Sequence, residues 1–246
     1  MHCDICLPAY NEELILEQST KRLLEFCKTN LTNITWSIIL IINGSHDKSP
    51  LLAQKLAELD QRIKKIIFTE PGKGRAIRKY WEQSTADILC FMDADLATDL
   101  EALPKLLAPL IKAEADLVIG DRYHQQAVVK RSFLRALSSR VYNLIAFLVL
   151  GQKQKDLQCG FKAINNTAFK KLVSLAKSDG WFFDTELIVW ANKLNLKIVE
   201  IPVNWQEARL HKRASTIKLI PATIYFLKSL IKLRKELSKT KNKSMV

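Results

Sequence analysis

The chain has 246 residues, 48% of them hydrophobic, and a formal net charge of +13. That length and apolar content fit one large α/β domain with a true core, less readily two small ones, and exclude a disordered chain. The five cysteines are odd in number and sit in mostly apolar settings, which reads as free thiols in a reducing compartment. Cys3 and Cys6 have metal-ligand spacing, but no second pair accompanies them, so a zinc site is not expected. Met1–Asp4 lacks the basic start and apolar run of a signal peptide.

In chain order, apolar runs alternate with helical patterns through the first half. Strands are predicted at Cys3–Leu7, Trp36–Ile42, Lys65–Phe68, Ile88–Met92 and Leu117–Gly120, with helices at Glu12–Cys27, Ser49–Leu59, Gly74–Ser84 and Leu100–Ala113. Repeated βα units with short connections imply a mostly parallel sheet covered on both faces. Ligands bind beyond the carboxyl ends of such strands, where Pro8–Glu12, Asn43–Ser45 and Asp93 all fall. No GxGxxG turn follows the first strand and no Walker A sequence occurs, against a dinucleotide-dependent oxidoreductase and a P-loop enzyme. Gly72-Lys73-Gly74-Arg75 sits between a strand and a helix and could bring backbone N–H groups and cations to a diphosphate; the same pattern is common in solvated turns.

The stretch Leu89–Ala97 carries the strongest chemical signal, an apolar strand ending on Asp93 and Asp95. Strand alternation would point both carboxylates to one side. Two carboxylates that close repel unless a cation lies between them, and a hard divalent metal shared with a diphosphate meets that need. Thr98 and Glu101 have the spacing of a capping box for the next helix, so Asp93 and Asp95 are not needed as caps.

The second half is more amphipathic and more basic. Ser132–Leu150 places Leu134, Leu137, Val141, Leu144 and Leu148 on one stripe, and its apolar run is far shorter than the roughly 20 residues a membrane span needs. From Ala208 to Val246 there are eleven Lys or Arg against one acid, a net +10 that leaves the remainder nearly neutral. Lys228, Lys232, Lys235 and Lys239 share one face of a tail helix, with Phe226, Leu230, Leu233 and Leu237 opposite. Such a helix suits an anionic membrane surface, and the alternative is an ordinary surface helix with its apolar face on the core. Nucleic acid also suits a basic tail, but its recognition motifs are absent.

LPAYNEE (Leu7–Glu13), NGSHD (Asn43–Asp47), GKGRAIR (Gly72–Arg78), DADL (Asp93–Leu96), GDRY (Gly120–Tyr123), DLQCGFK (Asp156–Lys162), WFFDTEL (Trp181–Leu187) and EIPVNW (Glu200–Trp205) follow one another along nearly the whole chain. In this order they resemble the inverting GT-A glycosyltransferases, and within them the polyprenyl-phosphate branch that holds dolichyl-phosphate mannose synthase and glucosyltransferase. The resemblance implies a GT-A domain over residues 1–215, with a nucleotide-sugar half at 1–123 and an acceptor half at 124–215. A basic amphipathic helix and tail would occupy 216–246. It implies that Pro8, Ala9, Tyr10, Glu12, Asn43, Lys73 and Ala94 border the donor, with Asp93 and Asp95 as the catalytic pair holding the sugar-nucleotide and Mg²⁺ or Mn²⁺. Arg122, Arg131, Arg135 and Ser139 match acceptor-phosphate positions, and Arg135 and Ser139 stand one helical turn apart. Gln158 and Cys159 would shape the acceptor tunnel. Asp184 and Glu186 would either orient this region or serve as buried carboxylates paired with a base.

Three departures from the pattern refine the expectation. Ile42 and Asn43 stand where many relatives carry two aspartates that contact the base or ribose. Ala97 replaces a Gln often found in mannose synthases, and the usual Gly-Ser-Lys is blurred to Arg213-Ala214-Ser215-Thr216. KRSFLR (Lys130–Arg135) and VNWQE (Val203–Glu207) look more like the glucosyltransferase branch. The expected partners are a nucleotide-diphospho-sugar, a polyprenyl phosphate and the cytoplasmic face of a membrane. Nucleic acid is not among them, and a membrane-embedded protein partner stays open. A GDP-mannose donor and a soluble acceptor remain alternatives.

Overall fold

The structure is a computed structural model that describes residues 1–130, 133–207 and 219–243, with side chains for all of these but 133–135, 219–222 and 240–243. The first strands and helices in chain order are β1 His2–Ala9, α1 Leu16–Asn30, β2 Thr35–Asn43, α2 Ser49–Leu59, β3 Ile63–Phe68, α3 Lys73–Gln83 and β4 Ile88–Met92. They continue with α4 Leu103–Ile111, β5 Leu117–Asp121, β6 Val129–Lys130, α5 Phe133–Leu150, β7 Phe161–Asn165 and α6 Asn166–Leu172. The last are α7 Phe183–Lys193, β8 Ile198–Pro202, β9 Trp205–Gln206 and α8 Leu219–Lys243.

Seven strands form the central sheet in the order β3-β2-β1-β4-β7-β5-β8, and β6 pairs with β9 apart from it. The sheet is parallel except at β7, which runs antiparallel to both β4 and β5. Near-continuous apolar strands such as ILCFM in β4 are buried throughout, as a sheet covered on both faces requires. One core layer packs α1, α2 and α4 on the sheet, and a second packs α3, α6, α7 and α8 on the other face.

Strand order sets where a ligand can bind. The chain moves outward from β1 to β2 and β3, then returns to place β4 on the other side of β1. The connections leaving β1 and β4 therefore diverge, and the crevice between them is the switch point that α/β sheets use for ligands. Met92 pairs with Phe161, so the loop before β7 reaches the same edge.

Local chemistry moves two predicted boundaries. α1 begins at Leu16 rather than Glu12, because the N–H groups of Asn11, Glu12 and Glu13 donate to side chains of Ser45, Ser49 and Asp47. The capping box of Thr98 and Glu101 does not form: a 3₁₀ turn over Leu100–Ala102 precedes α4, and no side chain caps it. Backbone 97–99 is instead engaged by the β9 region, where Gln206 N–H donates to Ala97 O and Asp99 N–H to Asn204 O.

The two amphipathic helices also differ from expectation. The apolar face of α8 lies on the core: Leu230 and Leu233 are each 1% exposed, and Phe226 packs 5.0 Å from the Tyr142 ring. That corrects the expectation that this stripe faces a membrane, since burial against α5 and α7 removes the same apolar surface from water. On α5 the predicted stripe does face outward, with Leu137, Val141, Leu144 and Leu148 between 47% and 69% exposed. Among the described residues no helix is long and apolar enough to cross a membrane.

Candidate active site

Three loops meet at the carboxyl ends of β1, β2 and β4. The first two are laced together by side chain to backbone hydrogen bonds, including His46 N–H to Asn11 Oδ1 at 2.8 Å and Lys48 N–H to Glu13 Oε2 at 2.9 Å. Pro8 and Ala9 end β1 here, and Tyr10 follows, exposed at the crevice. Asn43, expected at the donor base, is buried and engaged at both ends of its amide. Its Nδ2 donates to Ala9 O at 2.9 Å, and its Oδ1 accepts from Gly72 N–H at 3.1 Å. It therefore clamps three loops together rather than offering a free amide edge.

Asp93 and Asp95 are brought together by a turn, which corrects the strand-alternation argument. β4 ends at Met92, and the turn closes by Leu96 N–H to Asp93 O at 3.0 Å, with Leu96 at φ +49°. Ala94 is buried inside the turn. Asp95 Oδ1 accepts the N–H of Ala97 at 3.0 Å. Gly160 backs the pair so closely that a Cβ there would lie 2.1 Å from Asp93 Oδ2. Glycine is thus required at this position by the approach of a carboxylate.

Burial, and then the neighbouring Asp93, push the Asp95 carboxyl up to about 6. A carboxyl held up in this way beside a second acid fits a divalent cation. Among the described residues no group of three or more His, Cys, Asp or Glu gathers around a metal position. Two carboxylates with the remaining positions left to diphosphate and water match what magnesium-type sites use. A proton competes with a cation for Asp95, and its raised value favours the proton. Cation affinity is therefore expected to weaken as pH falls through about 6 and to level off above it. Mn²⁺ titration calorimetry between pH 5 and 8 checks this, and a flat profile would count against Asp95 as ligand.

Lys73, at the start of α3, reaches into this cluster. Its Nζ lies 2.9 Å from Asp93 Oδ1 and 3.3 Å from Asp184 Oδ2. Burial would lower its pKa, but Asp184 and Asp93 reverse that and hold it above the ordinary lysine range. Asp184 also accepts from Lys162 Nζ at 2.7 Å, and Lys162 is fully buried and donates to Cys159 O as well. Both ammonium groups lie over the Phe91 ring, at 5.0 and 5.7 Å. Sequence reasoning missed Lys162. The available signal was one lysine among the apolar residues Phe161, Ala163 and Ile164 of the strand FKAIN. Asp184 is thus a buried carboxylate paired with two lysines, one of the two alternatives open from the sequence. Glu186 accepts Ser178 N–H at 2.6 Å.

Of the expected acceptor positions, Arg122 and Ser139 have described side chains. Arg122 is held by Asp156, with Nε and Nη2 contacts of 2.7 and 2.8 Å, and stacks over Trp205. Ser139 Oγ lies 2.5 Å from the Tyr123 hydroxyl. Gln158 Nε2 donates to Thr185 Oγ1, whose oxygen is 2.7 Å from the Tyr142 hydroxyl, so α5, α7 and the loop before β7 are joined at one point. Arg131, the side chain of Arg135 and the segment Arg213–Thr216 lie outside the described residues.

A mostly parallel sheet with its acidic turn at the switch point, and one antiparallel strand beside it, is the architecture of the nucleotide-sugar transferases. Glucosyl-3-phosphoglycerate synthase of Mycobacterium tuberculosis, solved with Mn²⁺, uridine diphosphate and its glucosylated product, has the same fold. It superposes with a TM-score of 0.65 over 96% of this chain and 79% of that one, at 17% identity. Residues 4–173 match the model of glycosyl transferase family 2, and the chain belongs to that family. Curated relatives include the glycosyltransferase AglD of Haloferax volcanii, 33% identical over 82% of this chain but only 32% of that protein. Dolichyl-phosphate beta-glucosyltransferases of Drosophila melanogaster and Saccharomyces cerevisiae are 31% and 28% identical, over 84% and 88% of this chain and 68% and 70% of theirs.

Proposed function

We propose that this glycosyltransferase moves a hexose, with glucose favoured, from a nucleotide-diphospho-sugar to a polyprenyl phosphate, with inversion at the anomeric carbon. The observation that carries the reading is the Asp93/Asp95 turn at the β1/β4 crevice, backed by Gly160 of the DLQCGFK segment. The names of the dolichyl-phosphate relatives support the acceptor and the sugar. Ala97, in place of the glutamine of many mannose synthases, favours glucose over mannose.

The chemistry asks little of the protein as acid or base. A phosphomonoester has a second pKa of about 6 and near neutrality is already a dianion able to attack the anomeric carbon. Asp93 and Asp95 would hold a Mg²⁺ or Mn²⁺ ion, which supplies Lewis-acid stabilisation of the departing diphosphate. Lys73 would place a cation beside that diphosphate, and the laced loops at Asn11 and Ser45 would shape the donor crevice. Arg122, Arg131, Arg135 and Ser139 would hold the acceptor phosphate, with Asp156 fixing the orientation of Arg122.

A lipid acceptor calls for a surface that meets a membrane. The outward stripe of α5 supplies the apolar contact, and Lys228, Lys232 and Arg234 on exposed positions of α8 supply charge near it. Each basic residue near an anionic leaflet adds about 1 kcal/mol before screening. Peripheral attachment to the cytoplasmic face follows from this reading. The burial of the apolar face of α8 on the core suits an enzyme with a soluble acceptor equally well, so the two need a direct test.

Assay of UDP- and GDP-sugars against a polyprenyl phosphate, with flotation on anionic vesicles at low and high salt, provides that test. UDP-glucose turnover on the lipid and salt-sensitive flotation are expected. Equal turnover on a soluble phosphate with no flotation at low salt would establish the soluble-acceptor enzyme instead. Arg135→Ala should weaken the lipid phosphate roughly ten- to hundredfold, the value of a charge-assisted hydrogen bond, while leaving the donor KM alone. A changed donor KM with an unchanged acceptor KM would place Arg135 in the other subsite.

A further inference from the structure

The geometry points to Asp179, in the loop Ser178–Gly180, as a positioning residue that holds the Gly72–Arg75 loop, and so Lys73, at the donor site. This rests on the reading of Asp93 and Asp95 as the donor and metal pair. Asp179 does not touch that pair. Its carboxylate accepts from Arg75 Nη2 and Arg78 Nη2, each at 2.9 Å, and its carbonyl accepts the N–H of Arg75 at 3.1 Å. Three contacts from one residue thus fix the first two turns of α3, from whose start Lys73 extends to Asp93 and Asp184.

The same approach accounts for the glycines on either side of Lys73. A Cβ on Gly72 would lie 2.7 Å from Asp179 O, and one on Gly74 only 2.4 Å from Ser178 O. Gly72 also has φ +149°, which L side chains rarely adopt. These glycines let two backbones pass in contact, so their presence is explained by the 178–180 loop rather than by a phosphate cradle. Arg75 and Arg78 are likewise engaged by Asp179, which leaves Lys73 as the cation of this motif that reaches the acidic turn.

The loop is itself braced from behind. The Tyr225 hydroxyl of α8 lies 3.1 Å from Ser178 Oγ, and a Cβ on Gly180 would lie 2.9 Å from that hydroxyl. Glu186 of α7 holds the N–H of Ser178. The seating of α8 is therefore transmitted to the donor loop through three consecutive residues, and Tyr225 acts on the donor site through Asp179.

Asp179→Asn keeps the shape and removes the charge, and binding of UDP with Mn²⁺ by calorimetry reads the effect. A roughly ten- to hundredfold loss of UDP affinity is expected, with unchanged acceptor KM and unchanged melting temperature. Lys73→Met should lose a similar amount, and the double variant should be no weaker than Lys73→Met, because both act through one group. Tyr225→Phe should show a smaller loss in the same direction. Unchanged UDP affinity in Asp179→Asn, or additive losses in the double variant, overturns the positioning role. Should Asp179→Asn unfold, Tyr225→Phe decides, and an unaltered donor affinity there overturns it too. A wild-type chain that binds neither UDP nor GDP refutes the donor site itself, a different failure from a variant that binds as well as wild type.

Discussion

Asp95→Ala is expected to reduce sugar transfer by at least roughly 10²–10³-fold, the value of one well-placed electrostatic stabiliser. The residue lies in the turn beside Asp93, and burial and then that neighbouring carboxylate push its carboxyl up to about 6. Losing it leaves Asp93, already paired with Lys73 at 2.9 Å, to hold a cation alone. Stability should move the other way. A carboxyl whose pKa is raised on folding destabilises the folded state as pH rises from the unfolded value toward the folded one, and that penalty persists above it. Asp95→Ala should therefore keep or raise the melting temperature at pH 7.5 while abolishing turnover. Initial rates across a Mn²⁺ titration, with calorimetry on the same preparation, check both. Turnover within tenfold of wild type with metal chelated would falsify the role.

Asp156→Ala should produce the largest loss of stability, about 3–5 kcal/mol, because it leaves the largely buried Arg122 guanidinium without its counter-charge. Asp156 is fully buried and accepts three hydrogen bonds from Arg122: from Nε, from Nη2 and from the backbone N–H. In a chain of this length the loss corresponds to a fall of roughly 6–20 °C in melting temperature. Burial alone would raise the Asp156 pKa, but Arg122 overrides it and leaves it below the ordinary value of 3.8. The contribution is thus present above about pH 4 and is lost as pH falls through the folded value. Wild type should show this acid sensitivity, and Asp156→Ala should have lost it. Equal melting temperatures for the two proteins at pH 7.5 would show that the pair adds nothing to stability.

Much of the fold was legible because its signals are local. β4 over Ile88–Met92 and α2 over Ser49–Leu59 coincide with the expected segments, since continuous apolar runs and 3.6-residue periodicity depend only on near neighbours. The second half was less legible. The tail stripe of Leu230 and Leu233 has the same pattern whether it meets a bilayer or a core, and only packing on α5 and α7 decides between them. The acidic pair was visible as residue types, but its geometry was not, because a turn closed by Leu96 sets it rather than strand alternation.

By itself the sequence determined the α/β class, the edge on which Pro8–Glu12, Asn43–Ser45 and Asp93 gather, and the family through its eight ordered motifs. Those are properties of composition, periodicity and chain order. Tertiary structure decided which charges face each other. Lys73 meets Asp93 across 20 positions, Lys162 meets Asp184 across 22, Arg122 meets Asp156 across 34, and Arg75 meets Asp179 across 104. Electrostatic energy depends on distance and dielectric, and neither can be read until the chain has brought remote residues together and removed the water between them.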